Sequence, residues 1–298
     1  MTVLLASSLN LLQVIVLAVL QGVAELFPIS SLGHTVILPS LLRWNIDQQS
    51  PTFLAFVVLL HFGTAAALFS FYWRDWVHLL RVLFASLARG KFSDDPDERF
   101  IWLIIVGTVP ALVLALLFQD ALRANFGNPK SAAVLLAVNG VLMLVGEALR
   151  RRQYASEKAG DLSTGQELKN IDKLGVRGAV IVGLFQSLAL LPGISRSGAT
   201  MVGGMSLGLR HHEAMRYTFM LATPIILAAS LKTTPDLFAP AGRGVLGYAV
   251  LGCLLSAIAA YLSVRFLDRY FRHNRLDPFA YYCLAAGIGA FALLSAGL

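Results

Sequence analysis

Charge is what this chain has least of. Asp, Glu, Lys and Arg make up only 14% of its 298 residues, against roughly 25% in an ordinary soluble domain. Met1–Leu42 holds no lysine or arginine, and Glu25 is its one formal charge. A basic leader region is thus missing, and no cleavable signal peptide is expected. Cysteine is almost as scarce. Cys253 and Cys283 both fall in apolar runs, which excludes a disulfide framework and a cysteine-based metal site. The net charge of +7 invites a polyanionic partner, but the basic residues sit in the segments between apolar runs. They form no stripe of the kind nucleic acid needs, so no nucleic-acid partner is expected.

What is abundant is apolar sequence. Hydrophobic residues make up 57% of the chain, and mean hydropathy is +0.69. Runs such as Ile101–Phe118 and Tyr248–Val264 approach the length of about 20 helical residues that crosses a bilayer. The chain therefore reads as an all-α polytopic membrane protein.

It also repeats itself. Leu20–Thr35 aligns with Phe185–Thr200 at an offset of 165 residues, with identities at Gln21/Gln186, Ala24/Ala189, Leu26/Leu191, Ile29/Ile194, Ser30/Ser195, Gly33/Gly198 and Thr35/Thr200. Each block is an apolar helix, a break rich in Pro, Ser and Gly, and a second apolar helix too short to cross. Each reads as a re-entrant hairpin. Three longer apolar runs follow the first block, near 52–73, 99–118 and 131–149, and three follow the second, near 216–232, 245–267 and 279–297. A hairpin plus three spans crosses an odd number of times. The halves, 1–152 and 176–298 with a linker at 153–175, are then related by inverted topology, and their broken tips should meet near the bilayer midplane.

Lysine and arginine provide a second check. The connecting segments near 74–99, 150–177, 210–216 and 265–275 hold 18 of them, those on the other side hold 5, and Arg196 at a tip completes the 24. By the positive-inside rule the rich side is cytoplasmic, and both termini with the first hairpin's opening face outward.

The tips carry the chemistry, because polar groups within a bilayer are costly. Gln21 and Glu25 share one helix face, Pro28 breaks that helix, and Ser30, Ser31 and His34 follow. The second tip supplies Ser195, Arg196, Ser197 and Thr200 after Pro192–Gly193. Arg196 can clamp two phosphate oxygens, and helix starts near Ser31 and Ser197 offer free N–H groups to an anion. A hydroxyl can attack phosphorus while an imidazole moves the proton. The roles expected on this basis are Ser31 as nucleophile, His34 as proton-transfer group and Glu25 as its orienter. A phosphohistidine on His34 and attack by metal-bound water are the alternatives. Glu25, with Gln21 as neutral oxygen donor, can also hold a divalent cation. Plainer readings stand beside these. Ser30 and Ser195 suit helix caps, and Glu25 with Arg196 suits a buried ion pair. His61 reads as a structural histidine, Glu147 as a surface partner of Arg150 and Arg151, and His211, His212 and Glu213 as a loop face.

At these residues the chain resembles the bacterial undecaprenyl-diphosphate phosphatases, the bacitracin-resistance proteins, nearly end to end. The marks are the Glu/Gln-x-x-x-Glu segment with its following Ser-Ser-x-Gly-His, from Gln21 to His34, and Pro-Gly-x-Ser-Arg-Ser-x-x-Thr, from Pro192 to Thr200. The resemblance implies hydrolysis of undecaprenyl diphosphate to the monophosphate in the inner membrane, recycling the carrier for peptidoglycan synthesis, with Mg²⁺ or Ca²⁺ as activator. It implies catalytic or diphosphate-binding roles for Gln21, Glu25, Ser30, Ser31, His34, Ser195, Arg196, Ser197 and Thr200. Gln21 stands where many members carry Glu, which weakens a two-carboxylate metal site, and Leu32 stands where Thr is common. The alternative class is a polyprenyl-phosphate transporter or flippase, since broken helices in inverted repeats are transporter architecture. Ser-x-Gly-His also occurs in type-2 phosphatidate phosphatases, but their Lys-x6-Arg-Pro segment is missing here.

Overall fold

A computed structural model describes residues 9–91, 93–118, 127–158, 171–238 and 246–297. Residues 159–170 of the expected linker and both chain ends, whose side of the membrane was inferred above, lie outside the described residues.

The first half opens with a short helix, α1 (Leu11–Ala24), held at its start by a capping box in which Asn10 and Gln13 each accept the other's backbone N–H. After the break at Pro28 comes α2 (Ser31–Leu41). Its 11 residues span roughly 16 Å at 1.5 Å each, about half of a hydrocarbon core. Longer helices follow: α3 (Pro51–Phe71), α4 (Trp73–Arg89), α5 (Pro96–Leu117) and α6 (Pro129–Lys158). The second half repeats the plan with α7 (Val176–Ser187), a 3-10 turn at Leu188–Leu190, and α8 (Arg196–Ser206), again 11 residues. Then come α9 (His211–Phe238), α10 (Leu246–Tyr270) and α11 (Asp277–Ser295). Among the described residues all regular structure is helical, and six helices are long and apolar enough to cross a membrane: α3, α5, α6, α9, α10 and α11. Their outer faces are apolar and open, as at Leu117, Ile258 and Ile288, which suits lipid rather than water.

Packing follows the repeat. α1 lies against α10 and α7 against α5, so each broken helix packs on the second span of the other half. The two first spans, α3 and α9, pack on each other, and so do the two third spans, α6 and α11.

Three sequence expectations need correction. The stretch near 74–99 is not a plain loop, because α4 occupies most of it. That helix buries Trp76 and Leu79 and ends at Gly90 in the left-handed region, φ 63°. Its last turn is fastened to α5, where buried Glu98 accepts from Ser86 Oγ at 2.7 Å and pairs with Arg89. The linker does not begin at 153, since α6 continues to Lys158. Glu147 is no surface residue: it is buried, and its Oε1 meets His211 Nε2 at 2.6 Å and accepts the Leu276 N–H at 2.8 Å. His211, read above as part of a loop face, starts α9, and Glu147 ties that start to the turn before α11.

Candidate active site

The two tips meet, and their local geometry repeats. Ser30 Oγ caps α2 by accepting Gly33 N–H at 3.2 Å, and Ser195 Oγ caps α8 by accepting Gly198 N–H at 3.2 Å. Ser30 does so with φ at 68°, a left-handed conformation that costs a non-glycine residue about 1–3 kcal/mol and clusters at functional sites. At the other tip Gly193 has φ 113°, and a Cβ there would lie 2.4 Å from the Ala132 carbonyl oxygen, so only glycine fits. A Cβ on Gly33 would stand 3.0 Å from Gly193 Cα.

One side chain joins both breaks. Asn139 of α6, fully buried, donates to the Pro28 carbonyl at 3.0 Å and accepts the Ser195 N–H at 3.0 Å. Ser197 adds a second stitch, donating to the Phe27 carbonyl at 3.0 Å. Sequence reading missed Asn139. The available signal was a lone amide in the middle of an apolar span, which needs a reason.

Glu25 is the centre of the cluster. Its Oε1 receives Arg196 Nη2 at 2.5 Å. Its Oε2 receives the Ser31 hydroxyl and Gln21 Nε2, the latter at 3.1 Å. The first hairpin thus supplies carboxylate, hydroxyl and amide, and the second supplies the cation. Arg196 Nη1, Gln21 Oε1 and Thr200 Oγ1 are buried atoms with no hydrogen-bond partner among the described residues. Such orphans are costly, and of the three residues only Arg196 lines the cavity described below.

The expected contact between Glu25 and His34 is not made. His34 turns to the other flank of the tip, where its ring stacks on Tyr282 of α11 and its Nε2 lies 2.8 Å from the tyrosine hydroxyl. Its Nδ1 faces the Ser30 carbonyl at 2.7 Å. The imidazole beside Glu25 belongs instead to His61 of α3, whose Nε2 stands 3.3 Å from Glu25 Oε2. The sequence shows His61 as a polar residue in an apolar span, read above as structural; its place beside Glu25 is not legible there, because α3 reaches the tips from a different part of the chain.

A cavity of about 320 Å³ opens over the cluster, with Glu25, Ser30, Ser31, His61, Ser195 and Arg196 among its lining residues. Its other walls are chiefly apolar, including Leu32, Leu54, Val57, Val58, Ile225 and Ile226. Gln21, His34, Ser197 and Thr200 are not among the lining residues. A larger cavity, about 650 Å³, lies between the ends of α6, α9 and α10 and is lined by arginines and histidines with Glu147 and Glu213. It holds neither the Ser31–Glu25 pair nor Arg196, so the smaller cavity is the candidate site.

Six spans enclosing two broken helices, with a serine–carboxylate pair and a guanidinium where the breaks touch, define a polytopic membrane protein with a buried polar site. The profile of the bacitracin resistance protein BacA family matches residues 14–289. The chain belongs to that family. It is similar to the undecaprenyl-diphosphatase of Mycolicibacterium paratuberculosis, 45% identical over 300 residues that cover 95% of this chain and 97% of the relative. The undecaprenyl-diphosphatases of Mycobacterium avium, 44% identical with the same coverage, and of Acidiphilium cryptum, 43% identical over 95% of this chain and 98% of the relative, are similar too.

Proposed function

We propose that this chain hydrolyses undecaprenyl diphosphate to undecaprenyl phosphate and inorganic phosphate, with Ser31 as nucleophile. The observation that carries the reading is the Ser31 hydroxyl hydrogen-bonded to Glu25, on the floor of a cavity whose walls suit a prenyl chain. Arg196 seats the diphosphate through its free Nη1 and, as it turns to the phosphate, loosens its hold on Glu25. Ser31 Oγ then attacks the terminal phosphorus while Glu25 takes its proton. The bond to the bridging oxygen breaks, and undecaprenyl phosphate leaves with the electron pair. Water attacks the phosphoserine and the phosphorus–Oγ bond breaks; Glu25 returns its proton to Ser31 Oγ, and the water leaves one proton on the released phosphate and the other to solvent. A carrier of the same lipid would need no such nucleophile, so the transporter reading is not favoured.

Ser30 and Ser195 border the phosphate position while capping their helices. Ser197 and Thr200 serve it from behind, the first by holding the tips together. The halves are read as inverted repeats in the inner membrane, with the site open to the outer face, where the carrier is released. Its return to peptidoglycan synthesis would confer bacitracin resistance.

Mg²⁺ or Ca²⁺ belongs to this reading in a restricted way. Both Glu25 oxygens are engaged, Gln21 Oε1 is free, and no cluster of three or more His, Cys, Asp or Glu side chains able to hold a metal exists among the described residues. A divalent ion is commonly held by one or two carboxylates together with substrate phosphates. Glu25 and Gln21 therefore fit a cation that arrives with the diphosphate, whose charge it would offset. Mn²⁺ should bind the detergent-solubilised protein in the presence of methylene diphosphonate and only feebly without it. Tight binding to the protein alone would overturn this order. Phosphate release from a polyprenyl diphosphate by pure protein tests the activity itself, and a protein that moves the lipid without cleaving it would be a transporter.

A further inference from the structure

We propose that His61 is a positioning residue of this reaction, the group that keeps Glu25 aimed at Ser31 when Arg196 is drawn to the substrate. The proposal rests on the phosphatase reading and extends it to a residue outside both sequence motifs.

The argument begins with competing demands on Arg196. Its Nη2 holds Glu25 Oε1 at 2.5 Å, while its buried Nη1 has no partner among the described residues. A planar guanidinium binds phosphate best through two parallel N–H groups. Seating a diphosphate therefore takes Arg196 partly or wholly from the carboxylate. Gln21 is a neutral donor at 3.1 Å, and Ser31 must give its proton away during attack. Neither can fix a carboxylate whose main ion-pair partner has moved.

His61 has no such second demand. Its Nδ1 lies 2.8 Å from the Val57 carbonyl, one turn back on α3, which pins the ring. Its Nε2 then faces Glu25 Oε2 at 3.3 Å, the same oxygen that receives Ser31. A ring protonated on both nitrogens satisfies both acceptors. His61 also lines the cavity, together with Val57 and Val58 of α3, so its anchoring helix is part of the substrate's wall. The arrangement has the logic of a base held by an orienter, with the histidine in the orienting place and the carboxylate as base.

Three variants and one probe test it. In His61→Leu, similar in bulk but unable to donate, kcat should fall roughly 10- to 100-fold, the usual cost of losing an orienting partner, with KM close to the parent's. His61→Gln, which restores a donor of similar reach, should recover most of that loss. In a Glu25→Gln background, His61→Leu should cost little more, because its effect passes through the carboxylate. A kcat for His61→Leu within about twofold of the parent, far below the loss expected for an orienter, would overturn the proposal. So would losses that simply add in the double variant. Should the leucine variant fail to fold, His61→Asn, too short to reach Glu25, takes its place. A fluorophosphonate, whose phosphoryl oxygens draw Arg196 as a phosphate would, labels Ser31 without lipid substrate, so it reads His61 even if the parent releases no phosphate. Its rate should drop in step with kcat, and an unchanged rate would sink the idea.

Discussion

Glu25 has two oxygens and four neighbours, so each residue around it can be assigned by what its removal frees. Arg196→Lys replaces a planar fork by a point charge, which cannot leave Glu25 and grip two phosphate oxygens in parallel. Activity should fall about 100-fold or more, the scale of losing one preorganised donor, in a phosphate-release assay. Ser31→Ala should abolish turnover and the acid-stable phosphoserine that rapid quench with labelled diphosphate would trap in the parent. Ser30→Ala should keep the adduct while losing about 1 kcal/mol of stability with its cap. An acid-labile, base-stable adduct would instead point to His34. Glu25, Ser31 and Arg196 were legible because short motifs hold them at fixed spacing around a helix break. His61 was not, since periodicity says that a residue lies in a span but not what it faces. The expected contact between His34 and Glu25 is absent for a local reason. Three residues turn a helix by about 300°, which leaves roughly 60° between Ser31 and His34, enough to send the ring to Tyr282 on α11.

Helices of 11 residues cannot span the bilayer, so the tips of α2 and α8 need other elements to hold them in place. Asn139 does this from α6 by satisfying one backbone group of each break. Asn139→Leu should leave the Pro28 carbonyl and the Ser195 N–H without that partner, each at about 1–3 kcal/mol. A thermal unfolding scan in detergent should show a clear loss of stability, and kcat should fall because Ser195 neighbours Arg196. A variant as stable as the parent would mean that water replaces the amide. The repeat itself was legible from the paired Ser and Gly positions, and the structure repeats the caps those residues make. α4 was not, because a search for long apolar runs passes over a helix with one wet face. Its signal was a narrower one, Trp76 and Leu79 at helical spacing among Arg74, Asp75 and Arg81.

At the scale of the whole chain, the distribution of arginine and lysine fixes the orientation in the proposed reading. In a background lacking Cys253 and Cys283, Asp47→Cys lies in the exposed turn between α2 and α3, and Lys91→Cys lies just beyond α4. An impermeant thiol reagent should label the first in intact cells and the second only after lysis. The reverse pattern would invert the protein in the membrane. The cavity's walls set a different constraint, on kinetics. A site with a polar floor and apolar sides meets a prenyl lipid from the hydrocarbon phase, because each methylene favours that phase by about 0.8 kcal/mol. Occupancy then follows the mole fraction of substrate among surrounding lipids, and bulk molarity drops out. Adding inert detergent at constant total substrate should slow turnover in proportion, whereas diluting the same mixed micelles with buffer should leave the rate per molecule unchanged. In a cell, the spent carrier would compete for this site with every other lipid in its leaflet, and its two-dimensional density would set the pace of hydrolysis.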